Sequence, residues 1–249
     1  MMKDKVALIT GGSSGIGRAV ALAWAREGAR VVVSDTDQAG GEQTVAQVRE
    51  AGGEAVFLAA DVSKPEDCEA LVRHAVETFG RLDVACNNAG IGGPQAPTAD
   101  YPLDGWAQVI GVNLSGVFYG MKYQLPAMLK NGGGSIVNMA SILGAVGFAG
   151  APAYTTAKHG VLGLTQASAL EYSAQGVRIN AVGPGFIHTP MISALEEDKA
   201  INDMLVAAHP IGRLGRAEEV AELVLWLSSD KASFVTGAYY PVDGGYLAR

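Results

Sequence analysis

The sequence predicts an α/β fold built on a single doubly wound parallel sheet of about seven strands, with helices on both faces. Two observations support this prediction. Short apolar runs rich in β-branched residues alternate along the whole chain with longer segments whose apolar residues recur at helical spacing. The short runs are also apolar at successive positions, which is typical of strands that are buried on both faces of a parallel sheet.

Seven strands and six helices follow from this alternation. We predict strands at Val6–Thr10, Val31–Asp35, Ala55–Asp61, Asp83–Asn88, Ser135–Ser141, Arg178–Val182 and Tyr239–Asp243. Helices are predicted at Ile16–Glu27, Gln43–Ala51, Pro65–Phe79, Trp106–Leu129, Tyr154–Ser173 and Ala217–Leu227. Several of these helices end close to a glycine, which adopts the left-handed conformation of a helix C-cap easily.

The composition limits the classes of function. No long Pro/Ser linker, charge block or low-complexity run divides the chain, so we predict one domain over residues 1–249. A net charge of -7 argues against nucleic acid, which needs a basic surface. No apolar run is long enough for a membrane, and the first strand begins too early for a signal peptide, so we expect a cytoplasmic protein. Two cysteines and four scattered histidines predict neither a disulfide framework nor a metal site.

A glycine-rich turn, Thr10-Gly-Gly-Ser-Ser-Gly-Ile-Gly17, joins the first strand to the first helix. The spacing of Gly11, Gly15 and Gly17 differs from the G-x-G-x-x-G dinucleotide motif. Glycines nevertheless let the backbone approach a pyrophosphate, and a helix N-terminus attracts negative charge. A P-loop is not expected because the turn lacks its Lys-Ser/Thr ending. The alternative is a plain strand-to-helix turn.

Asp35 ends the second predicted strand, eighteen residues after Gly17. A carboxylate at this point accepts hydrogen bonds from an adenosine ribose and repels the 2′-phosphate of NADP. No basic residue follows it, since Thr36 comes next, and the glycine turn carries Ser14 before Gly15. We therefore favour NAD over NADP. The alternative is that Asp35 only ends the strand.

Polar residues also follow the third and fourth strands, at the same expected edge of the sheet. Asp61 can accept a hydrogen bond from the adenine amino group. The segment Asn87-Asn88-Ala89-Gly90 adds small and polar groups. Each observation is weak alone, because Asp and Asn favour turns in any case.

Ser141, Tyr154 and Lys158 form the constellation that carries chemistry. Tyr154 and Lys158 are four residues apart on one predicted helix, so they share a face. A neighbouring ammonium lowers the pKa of a tyrosine, which can then exchange a proton with an alcohol. The hydroxyl of Ser141, at a strand end, can orient the substrate oxygen. Asn113 lies within a predicted helix, where a polar role is plausible.

Together these motifs resemble the short-chain dehydrogenase/reductase family, with its Rossmann-type fold, over essentially the full chain. The resemblance is carried by the glycine turn, Asn87-Asn-Ala-Gly90, Asn113, Ser141, Tyr154-x-x-x-Lys158 and Pro184-Gly185, in that order. It implies that Tyr154 is the general acid/base and that Ser141 holds the substrate oxygen. It further implies that Lys158 lowers the tyrosine pKa and binds the nicotinamide ribose, and that Asn113 supports a water-linked proton relay to Lys158.

The resemblance also implies a set of residues that bind the cofactor. Those for the pyrophosphate, ribose and adenine are Gly11, Ser13, Ser14, Gly15, Ile16, Gly17, Asp35, Asp61 and Val62. The others are Asn88, Ala89 and Gly90, which line the cofactor cleft, and Tyr154, Lys158, Pro184, Gly185, Ile187 and Thr189. The hydride moves between the nicotinamide and the substrate carbon, which is the chemistry of the cofactor itself.

A lid over the substrate is expected from about 189 to 213. We predict a pocket wall of Gly92, Ile142, Leu143, Phe148, Phe186, Met191 and Leu195. No Arg or Lys precedes Lys199 in the lid, so an anionic substrate has no evident anchor. We expect an uncharged secondary alcohol or ketone, cyclic or hydrophobic.

Two alternatives remain at this point. Within the family, the alternative is a 3-oxoacyl-thioester reductase that uses NADPH. The other is a non-enzymatic dinucleotide sensor or scaffold, which would not need an intact set of catalytic residues. The resemblance also implies a dimer or a tetramer that pairs through the helices containing Asn113 and Tyr154, and we expect a symmetric homotetramer.

Overall fold

A seven-stranded parallel sheet forms the centre of the computed structural model, which describes residues 1–248. The strands in chain order are β1 Val6–Thr10, β2 Arg30–Asp35, β3 Glu54–Ala59, β4 Val84–Asn87, β5 Gly134–Met139, β6 Val177–Pro184, β7 Ile187–His188, β8 Gly215–Arg216 and β9 Tyr239–Val242. The large sheet has the order β3-β2-β1-β4-β5-β6-β9, and every pair in it is parallel. The predicted fold class is confirmed. The strand order reverses direction between β1 and β4, which is where such sheets bind ligands.

The helices largely follow the sequence prediction. They are α1 Gly15–Arg26, α2 Gln38–Glu50, α3 Pro65–Phe79, α4 Leu103–Ile110, α5 Gly116–Lys130, α6 Pro152–Tyr172, α7 Ser193–Glu197, α8 Lys199–Ala207 and α9 Ala217–Ser228. The predicted helix over Trp106–Leu129 is α4 and α5, joined by a π-helical turn at Gly111–Ser115. The prediction did not include α7 and α8.

The sheet is buried on both faces, and its strands alternate between two apolar cores. Ala7 and Ile9 of β1 pack with residues of α1, α2 and α9, whereas Val6 and Leu8 pack with residues of α3, α5 and α6. This arrangement explains why the strands are apolar at successive positions. It also leaves the carboxyl ends of the strands free for a binding site.

A second, two-stranded sheet lies beyond the main one. β7 and β8 pair in parallel through Ile187 with Gly215 and through His188 with Arg216. The segment between them, residues 189–214, contains α7 and α8. We call this the α7–α8 segment. The short sheet therefore joins the two ends of that segment at its base.

Cys68 and Cys86 are buried free thiols. Burial raises the pKa of Cys68 to about 12 and also raises that of Cys86. Both cysteines are therefore thiols rather than thiolates at neutral pH. Among residues 1–248, no helix has the length and apolar character needed to cross a membrane.

Candidate active site

A groove of about 780 Å³ runs along the carboxyl ends of β1, β2 and β4. Thirteen of the residues predicted for the cofactor line it, namely Gly11, Ser13, Ser14, Gly15, Ile16, Gly17, Asp35, Asp61, Val62, Asn88, Ala89, Gly90 and Thr189. The structure adds lining residues that the sequence prediction did not include, among them Ser34, Thr36, Ala60, Ser63, Ile91, Gln108, Val112 and Pro190. The groove lies at the reversal of strand order.

The glycine turn is held in place by the segment that follows β4. The side-chain amide of Asn88 donates to the carbonyl oxygens of Thr10 at 2.9 Å and Gly11 at 3.1 Å. In return, Thr10 Oγ1 accepts from the backbone N–H groups of Asn88 and Ala89, both at 3.1 Å. The two motifs are therefore one unit.

Close packing inside the turn explains two of its glycines. Gly11 has a φ of +66°, and a Cβ on Gly17 would lie 1.9 Å from the Gly11 carbonyl oxygen. The first turn of α1 contains no acidic residue. Its free N–H groups and helix dipole face the groove, as binding of a pyrophosphate requires.

The carboxylate of Asp35 is fixed at the edge of the groove. It accepts from the backbone N–H of Ser13 at 3.0 Å and of Asp37 at 3.1 Å. Arg18, the nearby cation, does not approach the carboxylate. Its guanidinium instead binds the Ser13 carbonyl and Thr44 Oγ1, together with groups of α2.

Asp61 lies at the other end of the groove, beside Val62. Its Oδ1 accepts from the N–H and the hydroxyl of Ser63, at 3.0 Å and 2.7 Å. The hydrogen bond from the Ser63 hydroxyl lowers the pKa of Asp61, so the carboxylate is ionised and is an acceptor. An adenine amino group is a donor of the matching kind.

A second cavity of about 460 Å³ opens from the groove, and the two share Ile16, Asn88, Gly90, Gly92, Thr189 and Met191. The predicted residues Ser141, Tyr154, Lys158, Pro184, Gly185 and Ile187 line this cavity. So does every predicted pocket residue, namely Gly92, Ile142, Leu143, Phe148, Phe186, Met191 and Leu195. The structure adds Gln95, Ala151, Ala194 and Ile201, which sequence reasoning missed.

Three side chains form the polar floor of this cavity. Ser141 follows β5, and its Oγ accepts from the N–H of Leu143 at 3.1 Å and hydrogen-bonds Tyr154. Lys158 is buried, and its Nζ donates to the carbonyl oxygen of Met139 at 2.7 Å. The Lys158 Nζ lies 5.5 Å from the centre of the Tyr154 ring. The shared helix face predicted for Tyr154 and Lys158 is therefore present.

Burial shifts the pKa of Tyr154 and the pKa of Lys158 in the direction that favours the neutral form of each side chain. It raises the pKa of Tyr154, while the hydrogen bond with Ser141 acts in the opposite direction. It lowers the pKa of Lys158 to about 8. The expected lowering of the Tyr154 pKa by Lys158 is not found: desolvation is the largest cause of the shift, and the group that opposes it is Ser141. Tyr154 is a protonated acid at neutral pH.

Asn113 lies behind this floor and lines neither cavity. Its Oδ1 accepts from the Ile91 N–H and its Nδ2 donates to the Ile91 carbonyl, both at 2.8 Å. The side chain is fully buried within the π-helical turn. A Cβ on Gly90 would lie 3.3 Å from Asn113 Oδ1 and 3.7 Å from Lys158 Nζ. The Asn113 amide therefore fixes the backbone of Ile91 beside the floor.

An aromatic cluster forms the wall opposite the floor. Phe186 makes edge or tilted contacts with Phe148, His209 and Tyr246. His209 is buried, and its Nε2 accepts from the Phe186 N–H at 3.2 Å while its Nδ1 donates to the Leu205 carbonyl at 2.7 Å. His209 therefore connects the end of α8 to the pocket wall.

The α7–α8 segment covers the cavity with apolar side chains from Met191, Ile192, Leu195, Ile201, Met204 and Leu205. His188, at its base, does not line the cavity. Its Nδ1 pairs with Glu196 Oε1 at 2.6 Å. Glu196 is thus half-buried and hydrogen-bonded to His188, and Asp198 caps α8.

Comparison with known proteins places this geometry in context. A family model described as enoyl-(acyl carrier protein) reductase matches residues 11–247. A cyclohexanol dehydrogenase of Acinetobacter sp. (strain SE19) is 50% identical over 99% of this chain and 96% of its own length. A cis-4-hydroxycyclohexanecarboxylate dehydrogenase of Sinomonas cyclohexanicum is 44% identical over 98% and 97%.

Solved structures agree with these matches. The crystal structure of levodione reductase has a TM-score of 0.97 and 41% identity, covering 100% of this chain and 99% of its own. A solved structure from Agrobacterium tumefaciens with bound NADP has a TM-score of 0.93 and 35% identity, covering 100% and 98%.

Proposed function

The chain belongs to the short-chain dehydrogenase/reductase family, and from that premise we propose that it interconverts a cyclic secondary alcohol and its ketone with NAD(H). The observation that carries the proposal is the position of Ser141, Tyr154 and Lys158. All three lie on the floor of an apolar cavity that opens into the dinucleotide groove. An oxygen placed between Ser141 and Tyr154 meets a hydroxyl donor and an acid.

Each side chain on the floor has a distinct part in this proposal. Protonated Tyr154 donates its proton to the carbonyl oxygen during reduction, and in oxidation the phenolate form of Tyr154 takes the proton of the alcohol. Ser141 holds the same oxygen. Lys158, held by Met139, supplies positive charge beside the tyrosine. Asn113 fixes Ile91 and Gly90 beside Lys158.

The nicotinamide cofactor would be held by the turn from Gly11 to Gly17 and by Asp35, Asp61 and the Asn88–Gly90 segment. When bound, it supplies or accepts the hydride. NAD rather than NADP is supported by the fixed carboxylate of Asp35 and by the engagement of Arg18 elsewhere. Some family members with NADP bound are structurally similar, so the choice depends on this local chemistry.

The substrate class is inferred from the cavity. Apart from residues of the floor and the groove, Gln95 is the polar side chain among those that line it. Among the residues that the structure describes, 1–248, Lys158 is the one cation that lines it. An uncharged ring fits such a wall, and the name of the cyclohexanol dehydrogenase relative is consistent with this class. We assign the lid to the α7–α8 segment.

A 3-oxoacyl-thioester reductase that uses NADPH remains the alternative, and the description of the matching family model is of acyl-carrier-protein chemistry. Asp35 argues against NADPH. Two of the relatives are named as a cyclohexanol dehydrogenase and a cis-4-hydroxycyclohexanecarboxylate dehydrogenase, which are names of ring-alcohol dehydrogenases. We therefore rank this alternative second.

The experiment that tests the proposed function follows cofactor absorbance during reduction of a panel of ketones. We expect turnover of cyclohexanone and related neutral cyclic ketones with NADH, and loss of turnover with retained NADH binding in Tyr154→Phe. The panel includes an acetoacetyl thioester and 4-oxocyclohexanecarboxylate. Preference for the thioester with NADPH would favour the alternative, and preference for the carboxylate would overturn the uncharged class. Full activity of Tyr154→Phe would refute the assignment of the acid.

A further inference from the structure

Tyr239 connects the edge of the sheet to the serine on the floor of the cavity. It begins β9, which lies at one edge of the sheet next to β6. Its Oη donates a hydrogen bond of 2.9 Å to the carbonyl oxygen of Ser141, 98 residues away in sequence. Neither the groove nor the cavity is lined by Tyr239. Its hydroxyl therefore reaches the site from behind.

A missing side chain on β6 makes this contact possible. A Cβ on Gly183 would lie 2.1 Å from the Tyr239 hydroxyl oxygen and 2.3 Å from the ring. The tyrosine thus crosses β6 through space that any other residue at 183 would fill. The absence of a side chain at Gly183 therefore leaves the space that the Tyr239 ring and hydroxyl occupy.

The contact completes the fixation of Ser141. Its carbonyl oxygen accepts from the Gly144 N–H at 2.9 Å as well as from Tyr239, and its Oγ accepts from the Leu143 N–H at 3.1 Å. Ser141 lies two residues beyond the end of β5, so the strand ladder does not hold it. Tyr239 is the partner that ties it to the rest of the sheet.

We propose that Tyr239 is a positioning residue that sets the place of Ser141 and, through it, the Ser141–Tyr154 hydrogen bond. The proposal relies on the role given to Ser141 in the proposed function. Burial raises the pKa of Tyr239 to about 12, so its hydroxyl remains a donor across the working pH range. A tyrosine so placed acts on the chemistry without touching substrate or cofactor.

The test is Tyr239→Phe, with Tyr240→Phe as the matched control. Tyr240 is the next residue on the same strand, but its ring packs against the opposite core. Since one neutral hydrogen bond is lost, we expect Tyr239→Phe to lower kcat about fivefold to tenfold and to leave KM for NADH unchanged. Tyr240→Phe should stay within about twofold of the wild type, and melting temperatures are measured for both variants.

Two further readouts separate positioning from a general loss of stability. The Ser141 hydrogen bond lowers the pKa of Tyr154, so its loosening should move the pH profile of alcohol oxidation to higher pH in Tyr239→Phe alone. In a Ser141→Ala background, Tyr239→Phe should have no further effect on kcat.

Three results would contradict the positioning role of Tyr239. Equal losses of kcat in the two Tyr→Phe variants, an unmoved pH profile, or the same loss of kcat with and without Ser141 would overturn the positioning role. A Ser141→Ala variant with full activity would instead show that the proposed function is wrong at Ser141, whatever Tyr239 does.

Discussion

Asp35 and Arg18 both contact Ser13, but their charged groups are held in different places. Two backbone N–H groups hold the Asp35 carboxylate at the groove, whereas the Arg18 guanidinium is turned toward α2, where its Nε and Nη2 donate to groups of that helix. Among residues 1–248, a 2′-phosphate in this place would meet an anion and no cation that is turned toward it. We propose that this carboxylate sets the cofactor preference.

Cofactor preference is therefore expected to change with two substitutions. In Asp35→Ser/Thr36→Arg, the repulsion is removed and a guanidinium is placed for bidentate binding of phosphate. We expect the ratio of kcat/KM for NADPH to that for NADH to rise about tenfold or more, since a hydrogen bond to a charged group contributes roughly 1.5–3 kcal/mol. Initial rates with both cofactors measure it.

Asp35→Ser/Thr36→Gln is the control for this experiment, because glutamine is long but uncharged. It should lose preference for NADH without gaining activity with NADPH. Wild-type enzyme that already prefers NADPH would contradict our interpretation of Asp35.

At the scale of elements, the glycine turn and the segment after β4 form one interlocked unit. Asn88 satisfies two carbonyl oxygens of the turn, and the Gly11 carbonyl packs against the Cα of Gly17 at the start of α1. The glycine at 17 is needed by the protein itself, before any ligand binds. A side chain there would push α1 away from β1.

Gly17→Ala is therefore expected to destabilise the free protein as well as to weaken cofactor binding. Overpacking against backbone typically costs about 1–3 kcal/mol, which lowers Tm by several degrees in a chain of this size. Thermal unfolding followed by circular dichroism, without cofactor, measures the effect. Ser14→Ala is the control, because the Ser14 side chain makes no capping hydrogen bond to α1. An unchanged Tm for Gly17→Ala would show that the turn can relax.

The strands could be predicted closely because burial on both faces leaves an unbroken apolar signal. β1 matches its predicted bounds of Val6–Thr10. The start of α2 was placed five residues late, at Gln43, because Gly40 and Gly41 have low helix propensity. Tertiary packing sets the start of α2 instead. Phe57 occupies the space where a Cβ of Gly41 would lie, and Asp37 caps the helix. Asp is a favoured N-cap residue, so Asp37 could have indicated the start of this helix from the sequence.

The site was predictable in its residue types but not in its long-range contacts. Motif order identifies Ser141, Tyr154 and Lys158, and their common cavity follows from the fold. The bonds of Asn113 to Ile91, of Tyr239 to Ser141 and of His209 to Phe186 join residues 22, 98 and 23 positions apart. The upward shift in the Tyr154 pKa depends on burial, which spacing along one helix does not reveal.

At the scale of the whole molecule, several large apolar side chains of this single chain face outward. Leu170 on α6 and Leu103 on α4 are 88% and 87% exposed, and Phe118 on α5 is about half exposed. These residues belong to the helices on which the family resemblance places subunit contacts. Exposed apolar surface of this kind is typical of an interface.

We propose a homotetramer and expect light scattering after size exclusion to give about 103 kDa, four times the mass of 25.7 kDa. Leu170→Glu should reduce this mass, because burial of an unpaired carboxylate in an interface is costly. Val76→Glu, on α3, is the control and should leave it unchanged. A monomer at micromolar concentration in the wild type would contradict the proposal.

The short sheet of β7 and β8 has a consequence for how such a protein changes over evolution. Because the two strands pair, residues 187 and 215 are held together. The entropy cost of closing the loop between them grows only slowly with the length of the α7–α8 segment. The α7–α8 segment can therefore be lengthened, shortened or exchanged while the pairing of β7 with β8 is kept. A change of specificity then requires transplantation of one segment, while the acid, the serine and the glycine turn stay as they are.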